Sequence, residues 1–163
     1  MIAHGLLPDQ AACQTDLKAV DTAIAINATS PVLFAEALVR QMTARAHGTL
    51  GIIGSVAGDR GRRSNYVYGA AKALVDRYAQ GLQHRLAGTP VRVVRIKPGP
   101  TRTPMTAELG MPAKRLADPA LVARDIVRGM AAGKAVVYTP WPWRWIMLII
   151  RHIPAFVFAR INL

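Results

Sequence analysis

Residues 49–100 read TLGIIGSVAGDRGRRSNYVYGAAKALVDRYAQGLQHRLAGTPVRVVRIKPGP, and the alternation within this stretch decides the fold. Residues 49–55 are a short apolar run punctuated by glycine, the pattern of a buried strand ending at Ser55. The Gly- and Arg-rich residues 56–65 form a loop. A helix follows from about 66 to 86, stopped by Gly88 and Pro90. Residues 91–96 (VRVVRI) form a second strand, broken by Lys97-Pro98-Gly99-Pro100. Upstream, Leu17, Val20, Ile24, Val32, Leu38, Val39 and Met42 recur at three- and four-residue steps, so 14–47 reads as helix. Pro31 marks a bend there, or the first turn of a second helix, and Gly48 ends it. Downstream, Asp118 and Pro119 suit the N-cap and first position of a third helix over 119–132. Gly133 stops that helix and 135–139 make a last strand. Helix and strand alternate three times, which is the rhythm of an α/β protein with a parallel sheet.

The chain has 163 residues, one domain's length, and 52% of them are hydrophobic, so it buries a sizeable core. Its single cysteine, Cys13, excludes a disulfide framework. His4, His47, His84 and His152 lack the spacing of paired metal ligands, so no metal is expected. Lysine and arginine number 21 against nine acidic residues, a net charge of +12. That excess predicts affinity for an anionic partner: phosphate groups, a membrane surface or nucleic acid. The arginines are scattered without a base-reading motif, which argues against nucleic acid. The first residues carry no secretory signal, and no 18 uncharged apolar residues run together, so a spanning helix is not expected. The expected location is the cytoplasm, peripheral to the inner face of the plasma membrane.

Tyr68-Gly-Ala-Ala-Lys72 carries the chemistry. Residues four apart share a helix face, so phenol and ammonium become neighbours. A nearby cation favours phenolate and lowers a phenol pKa by roughly one to three units. Tyr68 is then a general acid or base. Ser55 ends a strand 13 residues earlier, Asn27 lies in the preceding helix, and Pro98-Gly99-Pro100-Thr101-Arg102-Thr103 follows the next strand. In this order and spacing, the residues resemble the catalytic half of the short-chain dehydrogenase/reductase family, over residues 1 to about 140. The resemblance implies an NAD(P)-dependent oxidoreductase, NADPH and NADH being indistinguishable. It makes Tyr68 the proton donor or acceptor and Lys72 its partner, bonded to the nicotinamide ribose. Ser55 would hold the substrate oxygen, and Asn27 a water. Pro98, Gly99, Thr101 and Thr103 would orient the nicotinamide. Only Gly5 of Ile2-Ala-His-Gly5 matches the family's turn after strand four.

No GxGxxG or GxxxxGK[ST] occurs. The fold class expected is therefore the C-terminal portion of a doubly wound parallel-sheet (Rossmann) domain, without the Gly-rich βαβ part that holds adenosine and pyrophosphate. Residues 1–140 would be a truncated catalytic domain, from the end of strand four onward, and 141–163 an apolar, arginine-bearing tail. A chain of this extent is expected to bind dinucleotide poorly when expressed alone.

Asp59-Arg60-Gly-Arg62-Arg63 would lie near the substrate mouth, where Arg60, Arg62 and Arg63 suit phosphate oxygens; a solvated basic loop is the alternative. The tail alternates Trp141, Trp143, Trp145 and aliphatic clusters with Arg144, Arg151 and Arg160. It suits the interface plane of an anionic bilayer, or else covers the core or an oligomer interface. The segment from Gly58 to Gly69 and the tail resemble the decaprenylphosphoryl-2-keto-pentose reductases of cell-wall synthesis. That resemblance implies a lipid-linked phosphorylated pentose as substrate, an epimerase partner and a membrane surface. A homo-oligomer, a catalytically inactive fragment and a basic membrane-surface protein without chemistry stay open.

Overall fold

Three strands form one parallel sheet in the order β1-β2-β3: β1 (Gly48–Ile53), β2 (Val91–Pro98) and β3 (Val136–Thr139). The computed structural model describes residues 1–107 and 110–161; 108, 109 and the tail's last two residues lie outside that description. Gly48 pairs with Val91 through to Ile53 with Ile96, and Arg95 with Val136 through to Pro98 with Thr139. On the far side of β1, Ile2 bridges Ile52 in parallel, with its N–H 2.8 Å from the Gly51 carbonyl.

Strand periodicity sorts the side chains of β2 between two layers. Val91 and Val93 join Leu50, Ile52, Val75 and Val39 in the larger core, beneath α3 (Ser30–Ala44) and α4 (Tyr66–Arg85). Val94 and Ile96 point the other way and pack with Val122, Ile126 and Val137 under α6 (Pro119–Ala131). Asp118 caps α6 by accepting from the Ala120 N–H at 3.3 Å, and Gly133 follows it at φ +62°, as the sequence leads one to expect. A parallel sheet with helices on both faces is the partial Rossmann arrangement anticipated.

The helix expected over 14–47, with a bend or a second helix's first turn at Pro31, is refined in detail. Its chain forms α1 (Gln10–Thr15), α2 (Leu17–Ile24), a π-turn (Ala25–Thr29) and α3. Asp16 separates the first two: its backbone is extended at φ −128°, and its carboxylate accepts from the Lys18 N–H at 2.8 Å. From Leu17 to Ala44 the helix is continuous for 28 residues. Pro31 has no N–H for the Asn27 carbonyl, and the ladder widens just ahead of it, Ser30 donating to Ala25 five residues back. By length and composition this helix could cross a bilayer, which the sequence reading did not expect. Ala23, Ala28, Ala35 and Val39 are fully buried, α2 against α4 and α3 against β1. The loop expected at 56–65 opens with a 3-10 turn (Val56–Asp59), and α5 (Pro104–Ala107) follows β2. The tail forms α7 (Trp143–His152) and α8 (Ala155–Phe158), with α7 resting on β3 and the 3-10 turn.

Candidate active site

A cavity of about 420 Å³ opens at the carboxyl ends of β1 and β2, where ligands bind in open α/β sheets. Gly5, Ser55, Tyr68, Lys72, Pro98, Gly99, Thr101 and Thr103 all line it. Two glycines fix the approach of its main elements. A Cβ on Gly69 would stand 3.0 Å from the Ala57 carbonyl oxygen, and one on Gly58 2.8 Å from the Ala73 amide nitrogen. Without side chains at these points, α4 lies directly on the 3-10 turn. Ser55 begins that turn, its Oγ accepting from the Ala57 N–H at 3.1 Å. Its hydroxyl also hydrogen-bonds the Tyr68 phenol one turn into α4.

Lys72 is buried, donates to the Ile53 carbonyl at 3.2 Å, and stands 5.7 Å from the Tyr68 ring centre. Burial lowers its pKa from the ordinary 10.5 to about 8. The Tyr68 phenol is pushed up by burial, and the Ser55 hydrogen bond offsets this in part. This corrects the expectation that Lys72 alone would set the phenol low: desolvation outweighs every other influence on it. Asn27 is fully buried in the π-turn, donating to the Ala23 carbonyl at 3.0 Å and accepting from the Leu6 N–H at 3.1 Å. It stands behind the cavity lining. A Cβ on Gly5 would be 2.8 Å from Asn27 Oδ1 and 3.3 Å from Lys72 Nζ, so the glycine lets the N-terminal segment reach both.

After β2, threonines close the loop on itself. Thr101 donates to the Gly99 carbonyl at 3.0 Å, and Thr106 to the Thr101 carbonyl at 2.6 Å. The Thr103 hydroxyl makes only a long contact, 3.4 Å, to the Thr101 carbonyl. Trp143 packs directly against Gly99, where an added Cβ would meet the indole nitrogen at 2.0 Å.

The arginine loop divides. Arg62 lines the cavity; its Nη2 faces Met147 Sδ at 3.6 Å, its Nε is buried without a partner, and burial lowers its pKa. Arg60 and Arg63, expected to meet substrate, are turned to the tail instead. Arg60 donates to the carbonyls of Ile150, Arg151 and Ile153 at 3.0, 3.0 and 2.6 Å and sits 4.1 Å over the Phe158 ring. Arg63 donates to the Ile161 carbonyl at 3.3 Å. The carbonyls at the end of α7 lack intrahelical donors, and the Arg60 Nη1 amino group supplies one.

Sequence reasoning missed a buried ionic cluster behind the cavity. Lys97 Nζ binds Asp59 at 2.5 Å and Asp76 at 2.9 Å. Arg95 also pairs with Asp76, at 3.0 Å, and the Tyr138 hydroxyl donates to Asp59 at 2.8 Å. The available signal was the period-two placing of Arg95 and Lys97 on the α4 side of β2.

A doubly covered parallel sheet, with Tyr68, Lys72 and Ser55 converging on a cavity at its carboxyl edge, defines a Rossmann-type protein. Residues 3–113 match the family model described as short chain dehydrogenase. Over 160 residues the chain is 37% identical to an uncharacterized oxidoreductase of Mycobacterium tuberculosis, covering 98% of this chain and 64% of that protein. An uncharacterized oxidoreductase of Streptomyces coelicolor is 38% identical over 72% of this chain and 46% of its own length. The chain belongs to the short-chain dehydrogenase family. It spans about two thirds or less of the curated relatives it matches. Among solved structures, a short chain dehydrogenase from Burkholderia cenocepacia in complex with NADP has a TM-score of 0.82 at 20% identity, covering 96% of this chain and 65% of that one. One from Sphingobium yanoikuyae in complex with NADPH has a TM-score of 0.77 at 22% identity, covering 93% and 63%. These two likenesses are of fold.

Proposed function

We propose that this chain carries the catalytic site of an NAD(P)-dependent oxidoreductase that interconverts a ketone and a secondary alcohol. The observation that carries the reading is the convergence of Tyr68, Ser55, Lys72 and the Pro98–Thr103 loop on one cavity. The cavity chemistry suits the nicotinamide end of the cofactor. Lys72 has one hydrogen bond for its three donors, and Gly99 and Pro100 bring bare backbone to the wall. When bound, the nicotinamide supplies or accepts the hydride. Lys72 would hold the ribose hydroxyls, and Thr101 and Thr103 the carboxamide. Ser55 would hold the substrate oxygen, and Tyr68 would give that oxygen its proton as the carbon is reduced. In oxidation the Tyr68 phenolate takes the proton back. A phenol kept neutral by burial, as Tyr68 is, is in the right form to donate.

The finer reading concerns substrate. Arg62 lines a cavity that also has Leu7, Met105, Val122 and Ile126 on its wall, and its buried Nε has no partner. A guanidinium beside apolar surface suits an anionic group attached to a lipid, and supports a lipid-linked, phosphorylated keto-pentose. The test is NADPH oxidation by the full-length protein with paired keto-sugars, phosphorylated and not. Arg62→Leu should raise KM for the phosphorylated member by about 10- to 100-fold and leave its neutral partner unchanged. Equal effects on both would remove the anion from the reading. No oxidation with any ketone would remove the reductase.

A further inference from the structure

The outer face of α7 is apolar and uncovered. Trp143, Met147 and Ile150 recur at helical spacing and face inward, Met147 with no exposure at all. Opposite them stand Trp145, Leu148 and Ile149, the last 67% exposed. Trp141 before the helix and Phe156 in α8 are as exposed, at 68% and 67%. A helix apolar on both faces is normally buried on both, so this outer face points to an apolar medium.

One flank of the same helix is cationic. Arg144 and Arg151, seven residues apart, project to the same side. With Arg77 of α4 they line a cleft of about 420 Å³, whose other residues include Trp145 and Leu148. The cleft's two carboxylates, Asp59 and Asp76, are bound to Lys97 and Arg95. Among the described residues, neither Arg144, Arg151 nor Arg77 has an ion pair. The cleft is therefore an anion receptor at the edge of an apolar face.

We propose that α7 and α8 dock the protein on an anionic phospholipid bilayer. The Trp145–Ile149 face lies at the acyl boundary, and the Arg77–Arg144–Arg151 cleft receives headgroup phosphate. Tryptophan and arginine at one level are what a membrane interface accepts. A second copy of this chain is disfavoured as occupant, because it would bring another +12 of charge toward the same arginines. The inference is independent of the oxidoreductase reading.

All three tryptophans of the chain, Trp141, Trp143 and Trp145, lie in this segment, so its environment can be read by intrinsic emission. The full-length protein is titrated with vesicles of phosphatidylcholine alone and of phosphatidylcholine mixed with phosphatidylglycerol. Emission should shift to the blue and be quenched by brominated acyl chains only with the anionic lipid. Arg144→Gln and Arg151→Gln should each weaken partitioning about fivefold. Ile149→Ser should weaken it at low and high salt alike, and Tyr68→Phe should leave it unchanged. Free inorganic phosphate that competes with the vesicles supports the cleft as the headgroup seat. No shift with anionic vesicles overturns the proposal. So does a shift driven by protein concentration alone, with sedimentation showing self-association that Ile149→Ser abolishes.

Discussion

At the scale of single residues, the site depends on which desolvated groups keep their protons. Lys72 is protonated up to about pH 10.5 in the unfolded chain but only to about 8 when folded. Folding therefore releases a proton between those values, and the stability contributed at this site rises with pH across that window. Lys72→Met should have its most favourable effect relative to wild type at and below pH 8, and that advantage should shrink toward pH 10 in urea unfolding. A difference that stays flat with pH would contradict a buried, depressed ammonium. The residues Tyr68, Lys72 and Ser55 were legible because their roles attach to a helix spacing and a strand end. The fates of Arg60 and Arg63 were not, since nothing local tells a loop arginine whether a helix end 90 residues later will claim it.

At the scale of elements, the largest polar tie on the tail is one side chain. Arg60 bonds three carbonyls around the end of α7 and covers Phe158. Arg60→Ala should cost about 1–3 kcal/mol and free α7–α8 to proteolysis before the body unfolds. Cleavage at an unchanged rate would show that α7 is held by Met147 and Trp143 alone. The buried cluster binds β2 to α4 and the 3-10 turn. Lys97→Met would leave Asp59 buried with only the Tyr138 hydroxyl, and should cost about 3–5 kcal/mol in chemical denaturation. A loss under 1 kcal/mol would mean that Asp59 protonates or finds water. Periodicity made α2, α3, α4, α6 and the three strands readable, whereas α5, α7 and α8 were not anticipated. The break at Asp16 was not, because an N-cap and a mid-helix aspartate look alike until the backbone is seen. The π-turn escaped for a related reason: Pro31 announces a lost hydrogen bond, but not how the ladder absorbs it.

At the scale of the whole molecule, the order of elements was enough to give a parallel sheet, since each strand is followed by a helix that must cross back over it. Three segments distant in sequence, around Gly5, Ser55–Lys72 and Pro98–Thr103, thus end at one edge and enclose one cavity. The excess positive charge was visible in composition, yet its distribution was not: part neutralises buried carboxylates, part caps the tail, and part is left facing outward. The central claim is that Tyr68 delivers the proton in a hydride-transfer site. It is tested most directly by Tyr68→Phe in the full-length protein, with NADPH binding and ketone reduction measured side by side. The expected result is a fall in turnover of about 10²- to 10⁴-fold, with NADPH affinity within a few-fold of wild type. Turnover preserved in the phenylalanine variant would contradict the account.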